Sequence, residues 1–129
     1  MTSRTLAASA AAFVLALGLA GTAAAHAHLK RSTPTASGTV GATTQVEGWF
    51  TEALEPKFST ITVTGPGPDG KPEGGKKVDK GDTHTDPTDA KHLIVSIDGA
   101  APGTYTVDWA VTSVDTHKSQ GSFTFEVRK

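Results

Sequence analysis

The sequence contains no cysteine, and its single methionine is the first residue. Thiolate metal sites, cysteine nucleophiles and disulfides are therefore excluded, so the fold has to close on its apolar core alone. A preponderance of one charge sign is also missing, because 12 basic and 13 acidic side chains give a formal net charge of −1. This balance argues against nucleic acid or an anionic membrane surface as the partner.

Long hydrophobic runs are absent after the N-terminal segment, so the mature protein is not expected to span a membrane. The first 25 residues have the pattern of a cleaved secretory signal peptide, with Arg4 as their only charge and small residues at 23–25. The apolar run from Leu6 to Ala20 is shorter than the ~20 residues that a membrane span needs. We therefore expect an exported protein, located in the periplasm or outside the cell.

Two cleavage sites satisfy the small-residue rule of signal peptidase. Cleavage after Ala25 makes His26 the first residue, and cleavage after Ala27 makes His28 the first residue. The first site is favoured because its processing positions are all alanine. It leaves residues 26–129, which are 104 residues with a net charge of −2, enough for one domain.

Alternating apolar and polar residues predict β-strands throughout the mature chain. The alternation covers five segments, "TQVEGWFTEAL", "STITVTG", "HLIVSID", "PGTYTVDWAV" and "GSFTFEV". No stretch holds a helical period over ten residues. Strands of this length between Gly and Pro turns predict an all-β fold, a small antiparallel β-sandwich or Greek-key barrel of the Ig-like (cupredoxin-like) type.

Residues 65–90 are rich in Gly, Pro, Lys and Asp and contain almost nothing that could be buried. We interpret this segment as a long solvated surface excursion, with a short edge strand around residues 76–79. A functional loop is the alternative, because structureless loops of this length are uncommon.

Cleavage before His26 creates a free α-amine on a residue that also carries an imidazole, and these two nitrogens can close a chelate ring around one metal ion. An α-amine has an ordinary pKa of about 8, so a metal that prefers nitrogen displaces its proton at neutral pH. The alternative is that His26 merely follows the cleavage site and is loose, like most chain termini.

A second pair of potential ligands lies near the C-terminus, in "SVDTHKSQGSFTF". Asp115 and His117 are two residues apart, so in an extended backbone both side chains leave the same face. The alternative is an exposed Asp and His in a turn that Gly121 ends. One amine, two imidazoles and one carboxylate are the donor set that tetragonal Cu(II) favours, whereas Zn(II) would need the same atoms in tetrahedral placement.

Three blocks, "HAHLKRSTP", "FTEAL" and "GTYTVDWAVTSVDTHKSQGSFTFEV", lie in an order that resembles the periplasmic copper-binding proteins of the CopC type. The resemblance implies a small β-sandwich that binds one Cu(II), with ligands at His26, Asp115 and His117. It also implies Glu52 as an additional residue near the metal. An inner-membrane copper transporter of the CopD type is the partner that such a carrier suggests.

The resemblance has one departure. Family members that also bind Cu(I) use a methionine-rich loop, whereas the only methionine here is Met1, which leaves with the signal peptide. We therefore predict a Cu(II) protein without a Cu(I) site.

His28 offers a competing way to bind Cu(II). A free amine at position one and a histidine at position three can wrap the metal through two deprotonated backbone amides. His26 is the preferred ligand, because Asp115 and His117 are already placed by the fold. The two remaining histidines, His84 and His92, are expected to be solvated surface residues.

The leading hypothesis is a non-enzymatic exported protein that sequesters Cu(II), confers copper resistance or delivers copper to a membrane importer. A copper-dependent oxidative enzyme with an N-terminal histidine is one alternative, but such enzymes need an open coordination position and a broad flat substrate face. A metal-free Ig-like surface module is the other.

Overall fold

The computed structural model describes residues 26–129, so the predicted signal peptide lies outside the described residues. Eight strands form: β1 (Leu29–Thr33), β2 (Thr39–Val40), β3 (Thr43–Phe50), β4 (Thr60–Thr64), β5 (His84–Asp86), β6 (Asp89–Gly99), β7 (Gly103–Thr112) and β8 (Lys118–Val127). Two single 3-10 turns, Pro56–Phe58 and Pro68–Gly70, are the helical segments of this part of the chain.

The strands build two four-stranded sheets, one in the order β1-β3-β6-β5 and the other in the order β2-β8-β7-β4. The predicted all-β sandwich is confirmed. Strand pairing is antiparallel except between β2 and the end of β8, where Thr39 and Val40 run parallel to Glu126 and Val127. This parallel pair was not predicted, because a two-residue strand carries too little sequence pattern to indicate its direction.

The core lies between the sheets and is made by the inward-facing positions of the long strands. Apolar residues on alternate positions of β3, β6, β7 and β8 are buried, as the alternation predicts. Tyr105 and Phe125 stack across the β7–β8 pair with ring centroids 5.0 Å apart, and the Tyr105 hydroxyl donates to the Ala101 carbonyl at 2.7 Å. The largest buried side chains are Tyr105, Phe50, Phe125, Leu54, Leu93 and the core valines.

All five predicted segments contain a strand, although β3 ends at Phe50, four residues before the end of the segment "TQVEGWFTEAL". The strands β1, β2 and β5 were not predicted. Gly121 does not end the turn after β7, since β8 already begins at Lys118. Gly121 faces Trp109 across the β7–β8 pair, and a Cβ there would collide with the indole ring. A side chain at position 121 would therefore displace Trp109.

Residues 76–83, which we call the strap, connect the two sheets along one side. The Val78 N–H donates to the Val63 carbonyl of β4 at 2.8 Å, and the Val78 carbonyl accepts from the Asp98 N–H of β6 at 3.0 Å. The Asp79 Oδ2 accepts from the Val63 N–H at 2.9 Å, and Thr83 Oγ1 bonds both backbone groups of Ile61. The strap thus covers the outer edge of β4.

The strap corrects the prediction that residues 65–90 carry almost nothing that could be buried. Val78 packs against the core, and the Asp79 side chain is only 2% exposed. The predicted edge strand at residues 76–79 is reduced to two isolated bridges, Thr64 with Lys77 and Asp79 with Ile97. The composition of the segment did not predict these contacts, because the strap is attached to the sheets by one valine and by polar side chains that are usually solvated.

Within residues 26–129 there is no helix of the length and hydrophobicity that crossing a membrane requires.

Candidate metal centre

Residues 26–28 form an arm that is fixed between β8 and the bend that follows β3. Ala27 is completely buried, and its carbonyl accepts from the Ser119 hydroxyl of β8 at 2.6 Å. The next residue exchanges two bonds with Thr51: the His28 N–H donates to Thr51 Oγ1 and the Thr51 N–H donates to the His28 carbonyl, both at 2.9 Å. The exposed His26 is therefore attached to a fixed point rather than to a loose terminus.

Asp115 and His117 lie in the turn that joins β7 to β8, which we call the 113–117 turn. The expectation of an extended backbone is wrong here: Thr116 has φ +73° and its N–H donates to the Ser113 carbonyl at 2.8 Å. The Ser113 N–H donates to the His117 carbonyl at 2.9 Å and closes the turn. The two side chains are nevertheless close, with His117 Nδ1 3.4 Å from Asp115 Oδ2.

The arm brings His26 beside this turn. The His26 and His117 rings have centroids 5.5 Å apart and planes tilted by 52°. Residues from the two ends of the sequence thus share one end of the sandwich, because Ser119, two residues after His117, fixes the carbonyl of Ala27.

The Asp115 carboxylate is kept ionised by its surroundings. The Ser113 hydroxyl donates a short hydrogen bond to Asp115 Oδ1 and is the largest cause of a lowered Asp115 pKa, to which His117 adds an electrostatic contribution. Partial desolvation opposes these effects. A carboxylate that holds its charge well below neutral pH is suited to bind a cation.

One atom of this region fits a metal ligand. His117 Nδ1 is buried and is the only such side-chain nitrogen or oxygen in residues 26–129 without a hydrogen-bond partner. Buried polar atoms are normally paired, so an unpaired imidazole nitrogen beside a carboxylate requires an explanation. A metal ion bound between these groups would supply one.

The ligand set is incomplete as it stands. No three His, Cys, Asp or Glu side chains within the described residues converge closely enough to hold a metal ion. In the full chain the backbone nitrogen of His26 is an amide bonded to Ala25. It becomes an amine only if the chain is cleaved between these two residues. The structure therefore contributes a pair, Asp115 and His117, with the His26 ring alongside.

Glu52 lies in the bend after β3, at the same end of the sandwich. Its neighbours bind both segments described above: Thr51 pairs with His28, and the Ala53 carbonyl accepts from the Val114 N–H at 3.0 Å. Leu54 forms a bridge with Ser113. The residues on either side of Glu52 in the chain thus contact the arm and the 113–117 turn.

The other two histidines differ from each other. His84 is exposed, as expected, with Nδ1 2.8 Å from the Asp82 carbonyl. The expectation of a solvated His92 is wrong, since His92 is 8% exposed. Its Nε2 lies 2.9 Å from Glu47 Oε1, its Nδ1 lies 3.4 Å from Asp86 Oδ2, and its ring stacks on Trp49 at 4.2 Å.

Sequence reasoning missed the residues that hold the candidate ligands in place. Ser113, Ser119 and Thr51 bond the 113–117 turn or the arm. The spacing Ser-x-Asp-x-His was available as a signal for Ser113, because serine commonly bonds groups two residues along the chain. Nothing in the sequence signals that Ser119 bonds a carbonyl 92 residues earlier.

Comparison with known proteins gives consistent matches. The family model of the CopC domain matches residues 29–128. Protein YobA of Escherichia coli strain K12 is 42% identical over 106 residues, covering 81% of this chain and 80% of YobA. Copper resistance protein C of Escherichia coli is 35% identical over 120 residues, covering 88% of this chain and 90% of that protein. The crystal structure of PcoC, a methionine-rich copper resistance protein from Escherichia coli, has a TM-score of 0.70 at 34% identity, covering 81% of this chain and all of PcoC.

Proposed function

The chain belongs to the CopC family, and from this premise we propose that it binds one Cu(II) ion through His26, Asp115 and His117. The amine and imidazole of His26, the imidazole of His117 and a carboxylate oxygen of Asp115 supply three nitrogens and one oxygen, a set that Cu(II) prefers. Copper is the cargo of the proposed protein, which sequesters it, confers resistance or passes it to a membrane importer.

One observation carries the proposal: the buried, unpaired His117 Nδ1 lies 3.4 Å from Asp115 Oδ2 and the His26 ring stands beside the same imidazole. Glu52 is proposed as a further residue near the metal, on the strength of its neighbours' bonds to both segments.

The competing wrap-around mode at His28 is disfavoured. That mode needs the deprotonated backbone nitrogens of Ala27 and His28 as ligands. Ala27 is completely buried, and the His28 N–H is already donated to Thr51. Forming the wrap-around complex would therefore pull the arm out of the fold.

The proposed oxidation state follows from the chemistry of the donors. Cu(I) is bound by soft sulfur ligands, and the chain has no cysteine and no methionine beyond Met1. PcoC is described as methionine-rich, so the two proteins differ in the donors they offer to Cu(I). We propose Cu(II) as the cargo and no Cu(I) site.

Export and processing are part of the proposal, because the α-amine exists only after cleavage between Ala25 and His26. The periplasm or the cell exterior is the proposed location, and a CopD-type copper transporter is the proposed partner. The protein is proposed to be a carrier and not an enzyme, since Asp115 would fill the coordination position that an oxidative copper enzyme keeps open.

The test compares the purified protein that begins at His26, the His26 form, with the same protein acetylated at its α-amine. Acetylation removes the amine from the donor set but leaves both imidazoles and Asp115, so the chelate ring of amine and imidazole is lost. We expect Cu(II) affinity, measured by competition with a chelator, to fall at least about 100-fold. This corresponds to a loss of about 2.8 kcal/mol of binding free energy. Intact mass of the exported protein should show the start at His26.

Equal affinity of the two forms would refute the amine ligand. Failure of the His26 form to retain one copper per chain in equilibrium dialysis would instead favour a metal-free surface module. Sustained oxygen consumption by the copper form with ascorbate would favour the enzyme.

A further inference from the structure

We propose that Ser113 is a positioning residue of the copper site, whose hydroxyl fixes the Asp115 carboxylate in the orientation that receives the metal. This inference rests on the proposed function, and it assigns a role to a side chain that is not itself a ligand.

Ser113 is the most connected residue of the turn. It is 1% exposed, and its hydroxyl donates to Asp115 Oδ1 and lies 3.2 Å from the His117 carbonyl oxygen. Its backbone N–H donates to that same carbonyl at 2.9 Å, and its own carbonyl accepts from the Thr116 N–H at 2.8 Å. One buried residue therefore contacts both proposed ligands of the turn.

The Ser113 hydroxyl also determines which oxygen of the Asp115 carboxylate remains free for the metal. Because Ser113 bonds Oδ1, the free oxygen is Oδ2, and Oδ2 is the one 3.4 Å from His117 Nδ1. The Asp115 side chain is 49% exposed, so little packing restrains it. Without the serine bond the carboxylate would rotate among several orientations, and metal binding would have to order it.

Ligating carboxylates are usually held by such outer hydrogen bonds, and removing one typically lowers metal affinity 10–100-fold. The Ser113→Ala variant keeps the backbone bonds of the turn and loses only the hydroxyl. We expect its Cu(II) affinity to fall about tenfold or more, with a changed copper EPR spectrum because the oxygen ligand is less fixed. Ser122→Ala, an exposed serine on β8, is the matched control and should leave both unchanged.

A double-mutant cycle separates positioning from a general structural effect. If Ser113 acts through Asp115, Ser113→Ala should lower affinity in the wild type but have no effect in an Asp115→Ala background. An equal loss in both backgrounds would overturn the inference. Thermal unfolding of the copper-free variants checks the fold, and should Ser113→Ala unfold, Ser113→Thr restores the hydroxyl and is expected to restore affinity and spectrum.

The outcomes for the two proposals differ. Wild-type protein that binds no Cu(II) contradicts the proposed function. Wild-type protein that binds Cu(II), together with a Ser113→Ala variant of equal affinity and spectrum, contradicts only the role of Ser113.

Discussion

At the scale of single residues, the surroundings of each histidine decide its role. His92 lies on the outer side of the β1-β3-β6-β5 sheet, yet it is nearly covered, because Trp49 stacks on its ring and the Arg31 guanidinium lies 3.8 Å above the Trp49 ring. Both imidazole nitrogens face carboxylates, those of Glu47 and Asp86. His117, by contrast, has a nitrogen with no hydrogen-bond partner. The hydrogen bond to Glu47, the stacking on Trp49 and the low exposure mark His92 as structural, whereas the His117 side chain is 43% exposed.

We expect His92→Ala to destabilise the copper-free protein by about 1–3 kcal/mol, because it removes a hydrogen bond to a charged group and leaves Glu47 unpaired in a covered position. Urea unfolding at neutral pH measures this. His84→Ala is the matched control, and as an exposed substitution it should change stability by no more than about 0.5 kcal/mol. Equal effects of the two substitutions would contradict a structural role for His92.

At the scale of elements, the strap solves the problem of an open sheet edge. β4 is the last strand of its sheet, and an uncovered edge strand invites pairing with another chain. The strap occupies the free backbone groups of Ile61 and Val63 with side chains of Thr83 and Asp79 and with the backbone of Val78. A segment rich in charged and turn-forming residues can therefore be structural without being a strand.

We expect Asp79→Ala to destabilise the fold by about 1–3 kcal/mol, since the Val63 N–H is left without its acceptor at a position that water reaches poorly. Urea unfolding measures the loss, and light scattering at raised concentration tests whether the uncovered edge promotes association. Glu73→Ala, an exposed acid in the same excursion, is the control and should be near neutral. An Asp79→Ala variant as stable as the control would show that the strap does not hold β4.

The long strands could be predicted because their apolar residues alternate, as Leu93, Val95 and Ile97 do on β6. β2 and β5 could not, since two or three residues cannot display a period. The spacing of Asp115 and His117 predicted that their side chains lie close together, and they do, although a turn rather than an extended backbone brings them together. Ser119 and the strap contacts depend on which segments meet in space, and a single sequence does not encode that in any local pattern.

At the scale of the whole molecule, the candidate metal centre joins segments that the fold must bring together. Its proposed ligands come from the arm before β1 and from the turn before β8, in different sheets. A metal bound across them stabilises only the folded state, so copper should raise the unfolding temperature of the entire domain.

We expect Cu(II) at about 1,000 times its dissociation constant to add about 4 kcal/mol of stability, which corresponds to a rise of roughly 15 °C for a domain of this size. Scanning calorimetry of the form beginning at His26 measures the shift. Cu(I) supplied anaerobically should leave the unfolding temperature nearly unchanged, because no sulfur ligand is available. A similar rise with Cu(I) would contradict the proposed preference for Cu(II).

The bond from Ser119 to the carbonyl of Ala27 ties the first described residues to the last strand. During synthesis or translocation, β8 emerges after all the other described strands, so the arm cannot dock until residues 118–127 are available. A product that terminates before β8 would keep His26 but have no anchor for it. We therefore expect the proposed copper site to form only once β8 is in place.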